Sequence, residues 1–168
     1  MKPDNETRDA QRRVMAVFEK RPDAALGTKR AEATITGGLT CTVTEGDRQA
    51  VMDMPEPLGG SDAGPSPGFH ARAAVSGCIA IGLKMTAVRL GFALRSVNVV
   101  VDMDFDDSAI LGMGEASAAP LRTGVTIRLD SDADRETLQA LVDTALAADP
   151  YYLALRDPQI VETRIEVV

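Results

Sequence analysis

Hydrophobic and polar positions recur along this chain with two periods, one helical and one strand-like. Between residues 5 and 20, Ala10, Val14, Val17 and Phe18 form a narrow apolar stripe among charges. That spacing predicts an amphipathic helix packed on the outside of something larger. Arg21-Pro22-Asp23 ends it. Thr28 to Ile35, Leu39 to Val43 and Ala50 to Met54 read as short strands, with Gly37-Gly38 and Glu45-Gly46-Asp47 as turns. They predict a three-stranded antiparallel meander. Residues 55–67, PEPLGGSDAGPSP, are loop by composition. A loop of that length is either a plain surface connection or a functional one.

Gly68 to Leu90 is the longest apolar helical segment, with Ser66 as its N-cap, Pro67 at the first position and Gly91 just beyond its end. Ala74, Cys78, Ile81 and Met85 share one face, and Val75, Ile79 and Leu83 lie beside them. A helix apolar nearly all round is buried on most sides, so it is a central core helix or packs against a partner copy. Its uncharged stretch is short of the roughly 20 residues of a membrane span.

Further strands are expected from Val97 towards Phe105, from Leu121 to Leu129 and from Val161 to Val168. A helix is expected from Asp132 to Ala147, N-capped by Ser131 with Asp134 three residues later. Asp149-Pro150 breaks it, and Tyr151 to Leu155 adds a further turn. The order is helix, three strands, long helix, two strands, helix, strand. That is an α+β pattern rather than the regular alternation of a parallel sheet. Residues 1–24 read as a helical extension and 25–168 as one domain.

Composition narrows the function classes. Hydrophobic residues make up 45% of 168, with no Trp, so the core is aliphatic. A net charge of −7 argues against nucleic acid and against anionic membranes as partners. The charged N-terminus has no apolar run after it, so no signal peptide is read there and the cytoplasm is the expected compartment. One His and two Cys without close spacing give no metal pattern, and no cofactor is expected.

Cys78 is the candidate nucleophile. A thiolate attacks peroxides, disulfides or acyl carbons, and a lowered pKa makes more of it available. Its i±3 and i±4 neighbours, Ala74, Val75, Ile81 and Gly82, include no cation. On residue type alone, a small buried hydrophobe is the plainer reading. Cys41, between Thr40 and Thr42, reads as an ordinary strand residue, and a Cys41–Cys78 disulfide stays open. His70 lies about 12 Å along the helix from Cys78 and reads as a solvated first-turn residue. Asp102, Asp104 and Asp106 alternate along a strand without calcium-loop spacing, and read as a solvated face.

The loop with Gly59, Gly60, Gly64, Pro65 and Pro67, followed by Ser76-Gly77-Cys78 in a long helix and then LGFALRSVNVVVDMDFD, closely resembles the OsmC/Ohr family. The order of elements agrees over about residues 25–168. The resemblance implies an intertwined homodimer in which antiparallel sheets wrap two long central helices, with sites at the subunit interface. It also implies thiol-dependent hydroperoxide reduction, in which a thiolate becomes a sulfenic acid and a second Cys closes a disulfide. Three positions depart from that scheme. Gly68 stands where the family has an assisting Glu, Leu39 where it has an Arg, and Asp149 where it has the resolving Cys.

Two functions follow as expectations. One is a one-Cys hydroperoxide reductase acting through Cys78 with an external thiol reductant, its cation drawn from Lys29, Arg30 or Arg72. The other is a non-catalytic dimer that binds an apolar small molecule in its interface pocket, with Cys78 lining it. If Asp149 approaches Cys78, its charge raises the thiol pKa, the wrong direction for a nucleophile.

Overall fold

The computed structural model describes residues 3–167. They divide into two compact units, residues 3–74 and 75–167, each with its own internal packing.

In the first unit, helix α1 (Asp4–Lys20) begins with Asp4 and Glu6 and ends with Lys20, charges that suit its dipole. It forms over the expected residues but has no buried residue, and Val14, Val17 and Phe18 of its stripe are exposed, so the packing expected of that stripe is not seen. A 3-10 turn over Pro22–Ala25 follows. Strands β1 (Glu32–Thr34), β2 (Cys41–Glu45) and β3 (Arg48–Met52) then form the expected antiparallel meander, in the order β1-β2-β3. The β2–β3 hairpin closes through Gly46, whose φ of 56° is open to glycine at little cost. The first strand is shorter than the Thr28–Ile35 expected.

The second unit is built on α2 (Pro67–Leu90), which starts in the first unit and runs into this one. Its ends are those the sequence marks. Ser66 Oγ accepts a hydrogen bond from the Phe69 N–H at 3.3 Å. At the other end Gly91 has a φ of 84°, with Gly91 N–H donating to Val88 and Phe92 N–H to Ala87. That pair of bonds is a Schellman motif. Strands β4 (Ser96–Asp104) and β5 (Arg122–Asp130) pair antiparallel. Val97, Val99, Val101 and Met103 of β4, with Val125, Ile127 and Leu129 of β5, face Val75, Ile79 and Leu83 of α2. The period-2 pattern of the strands thus meets the period-3.6 pattern of the helix.

Helix α3 (Asp107–Ile110) interrupts the long β4–β5 connection. Helices α4 (Arg135–Leu146) and α5 (Pro150–Arg156) complete the unit, with Leu141 and Ala145 of α4 buried.

Three expectations need correction. The N-cap of α4 is Asp134, which accepts from Thr137 N–H at 2.8 Å. Ser131 is engaged elsewhere, donating to the Ala93 carbonyl and accepting from Ala133 N–H. The closing strand expected over Val161–Val168 is not formed in residues 161–167, and Val168 lies outside the described residues. A lone segment has no edge to pair with here, and Ile160, Val161, Ile165 and Val167 are exposed. Finally, α2 as a whole is long and apolar enough to cross a membrane, although its uncharged stretch is short. Its buried line against the sheet and α4 is that of a core helix.

That burial is one-sided. Val75, Ile79, Leu83 and Thr86 are covered, while Ile81 is 64% and Met85 43% exposed. The single chain leaves one apolar face of its central helix open.

Candidate functional site

Two carboxylates are buried, one in each unit. The first is Asp53, which is 2% exposed at the end of β3. It accepts from Thr40 Oγ1 at 2.9 Å, from its neighbour Met54 N–H at 2.8 Å, and from Ser61 and Ala63 N–H at 3.1 and 3.2 Å. Burial pushes its carboxyl up, but the hydrogen bonds from Ala63, Thr40, Met54 and Ser61 outweigh it and hold the pKa below its ordinary value. Asp53 therefore fixes the Pro/Gly loop to the meander. The loop's glycines serve the same end. A Cβ on Gly60 would run into the Met54 carbonyl, and one on Gly64 would lie 2.6 Å from the Val51 carbonyl. Sequence reasoning passed over Asp53. The available signal was a carboxylate between Met52 and Met54, where a sheet-end surface residue is the easier assumption.

The second carboxylate is Asp149, 3% exposed. Its Oδ1 caps α5, accepting from Tyr151 and Tyr152 N–H at 3.1 and 2.8 Å. Its Oδ2 is buried and makes no hydrogen bond of ordinary geometry. It faces α2, lying 3.5 Å from where a Cβ on Gly82 would sit. Cys78 lies one helical turn before Gly82 on α2. Burial raises the Cys78 pKa, and the neighbouring Asp149 carboxylate raises it further, against an opposing pull from the Tyr151 N–H. The direction is the one expected of Asp149 if it approaches Cys78, a raised thiol pKa.

Cys78 is partly exposed and free, as is Cys41, which lies in β2 opposite Met52. The other candidate residues are placed as follows. Arg30 pairs with Glu32 at 3.5 Å on the surface, and Lys29 is exposed beside it. Arg72 folds back over Gly68, its Nη1 3.2 Å from where a Cβ would be. It thus leans towards the start of α2, away from Cys78. Leu39 reaches the loop at Gly59. His70 is not solvated as expected: its Nε2 is buried without a partner and its ring meets Phe69 edge-on at 5.5 Å. Asp102 and Asp104 do form an exposed face, and Asp104 pairs with Arg122 at 2.7 Å. Asp106 lies beyond the strand and caps α3 through Ser108 N–H. Among the described residues, no three His, Cys, Asp or Glu side chains gather to hold a metal.

An antiparallel sheet laid on a long helix that carries a cysteine, with a glycine- and proline-rich loop leading into that helix, defines a distinct α+β class. The family model described as "OsmC-like protein" matches residues 59–164, and the chain belongs to that family. Solved structures agree in fold. An OsmC-like protein from Mycoplasma pneumoniae superposes with a TM-score of 0.66 at 10% identity, covering 77% of this chain and 88% of that one. An organic hydroperoxide resistance protein, OsmC, from Legionella pneumophila gives 0.56 at 20%, covering 78% and 90%. The organic hydroperoxide resistance protein OhrB of Bacillus subtilis gives 0.51 at 24%, covering 77% and 91%. A comparison with curated protein sequences finds no match.

Proposed function

We propose that this protein is a cytoplasmic OsmC-like homodimer that binds an apolar small molecule at its subunit interface, and that Cys78 lines the site without serving as a peroxidatic nucleophile. One observation carries this reading: the buried carboxylate of Asp149 faces α2 at Gly82, one helical turn from Cys78, 3.5 Å from where a Cβ on Gly82 would sit. A nucleophilic cysteine needs the opposite, a cation or donor that favours the thiolate. The residues that would assist peroxide chemistry are also replaced, by Gly68, Leu39 and Asp149. The dimer is supported by the open face of α2, where Ile81 and Met85 leave apolar surface uncovered. It is supported too by the alternating segment Val161, Thr163, Ile165 and Val167, a strand pattern that has no partner edge in one chain.

A second reading, a one-Cys hydroperoxide reductase recycled by an external thiol, is favoured by one observation. Cys78 is a free, partly exposed thiol in the same fold as the hydroperoxide resistance proteins of Legionella pneumophila and Bacillus subtilis. In that cycle the thiolate would take one peroxide oxygen to become a sulfenic acid, releasing the alcohol. Two equivalents of external thiol would then reduce it, with loss of water.

Consumption of cumene hydroperoxide with dithiothreitol separates the two. The binding reading expects wild type to consume no more than Cys78→Ser. Activity in wild type and Cys41→Ser that Cys78→Ser abolishes would overturn it in favour of the reductase.

A further inference from the structure

The two units differ in what holds them together. Every buried apolar side chain lies at or beyond Val75. Among the described residues of the first unit, Asp53 alone is buried. Yet the meander is patterned to bury one side. Its register sets Ala33 beside Val43, Val43 beside Ala50, and Cys41 beside Met52. Partners in register point the same way, and side chains two apart share a face. Ala33, Cys41, Val43, Ala50 and Met52 therefore form one apolar face, which ends at the turn with Glu45 and Arg48. Glu32, Thr34, Thr42, Thr44, Gln49 and Val51 form the other, polar but for Val51. None of the apolar-face residues is buried. Helix α1 of the same chain does not supply the cover, since its own apolar stripe is exposed. A sheet with one apolar face needs a second layer against it. Three short strands without that layer bury too little to offset the ordering of their backbone.

We infer that a second copy of this chain supplies the missing layer over Ala33, Cys41, Val43, Ala50 and Met52, and that the meander is ordered only in that contact, while the second unit keeps its core in a lone chain. The inference rests on the homodimer reading above and names what the dimer holds folded. The occupant is a second copy because the chain carries two uncovered apolar patches, this face and Ile81 with Met85 on α2, and a two-fold pair of chains covers both at once. The face carries no charge before the turn, which suits the centre of an interface. The second unit needs no such help. Val75, Ile79, Leu83 and Ala145, with Ala87, Leu94 and Leu141, are buried within one chain. Dissociation thus releases the meander and leaves the second unit folded. The Pro/Gly loop, tied to the end of β3 through Asp53, loses its anchor with the meander.

Sedimentation velocity and hydrogen exchange on the full chain test this with Val43→Glu, on the apolar face, and Thr44→Glu, on the polar one. Wild type and Thr44→Glu are expected to sediment as dimers at micromolar concentration, with β2 and β3 protected. Val43→Glu is expected to sediment as a monomer, its β2 and β3 exchanging about a hundredfold faster while β4 and β5 keep their protection. A Val43→Glu dimer overturns the inference and leaves the homodimer reading standing. So does a Val43→Glu monomer whose meander stays protected, or one whose second unit opens as well. A monomeric wild type removes inference and homodimer reading together. Because a glutamate can disturb β2 directly, a second measurement uses changes outside the meander. In the Cys78→Ser background, Ile81→Glu with Met85→Glu is expected to dissociate the dimer and to speed alkylation of Cys41 by iodoacetamide about tenfold. Dissociation that leaves the Cys41 rate unchanged overturns the inference.

Discussion

Asp53 and Asp149 are both buried carboxylates, and they do different things because one is satisfied and the other is not. Asp53 has four donors and ties the Pro/Gly loop to the meander. Its folded pKa lies below the ordinary 3.8. The stability it contributes is therefore complete above that ordinary value and is lost as the pH falls through the folded one. Asp53→Asn turns an amide NH2 or a weaker acceptor towards those same donors. The variant is expected to be less stable than wild type at pH 7 and to lose less stability between pH 5 and pH 2 in denaturant titrations. Equal stability at pH 7 would refute the hub role. Asp149 was legible from sequence because the family comparison gave its position a meaning. Asp53 was not, because nothing in a string of letters separates a carboxylate that collects loop N–H groups from one that faces water.

At the scale of elements, the punctuation of α2 was readable because caps are local. Ser66, Pro67 and Gly91 each act within one turn of the chain. The strands of the β4–β5 hairpin were readable because their apolar positions alternate over nine residues each. The cap of α4 was misplaced because Ser131 and Asp134 both suit the role, and only the path of the preceding turn decides between them. The last strand failed for a different reason. Its pattern is correct for a strand, but a strand exists only by pairing, and the partner edge is not a property of the segment. The central role of α2 yields a direct expectation. Leu83, fully buried among the β4, β5 and α4 side chains, should cost about 2–5 kcal/mol when changed to Ala. A loss below about 1 kcal/mol in chemical denaturation would mean that this face of α2 is not the core.

For the whole molecule, the sequence described the central helix as apolar on almost every side, and a single chain covers only part of it. Ile81 and Met85 remain exposed, as does the alternating segment near the C-terminus. The proposed second copy accounts for both features. Sedimentation velocity at micromolar concentration should show a dimer, and a double variant, Ile81→Glu with Met85→Glu, should sediment as a monomer. A monomeric wild type would remove the interface pocket along with the dimer.

The central claim concerns one proton, the one on Cys78, and the most direct measurement is the pH dependence of its alkylation by iodoacetamide in the Cys41→Ser background. The predicted midpoint lies above that of an ordinary cysteine, because burial and Asp149 both raise it, and it falls when Asp149→Asn removes the charge. A midpoint below that of an ordinary cysteine, unchanged by Asp149→Asn, would mean that Cys78 is an activated thiolate and that the peroxidatic reading is the correct one.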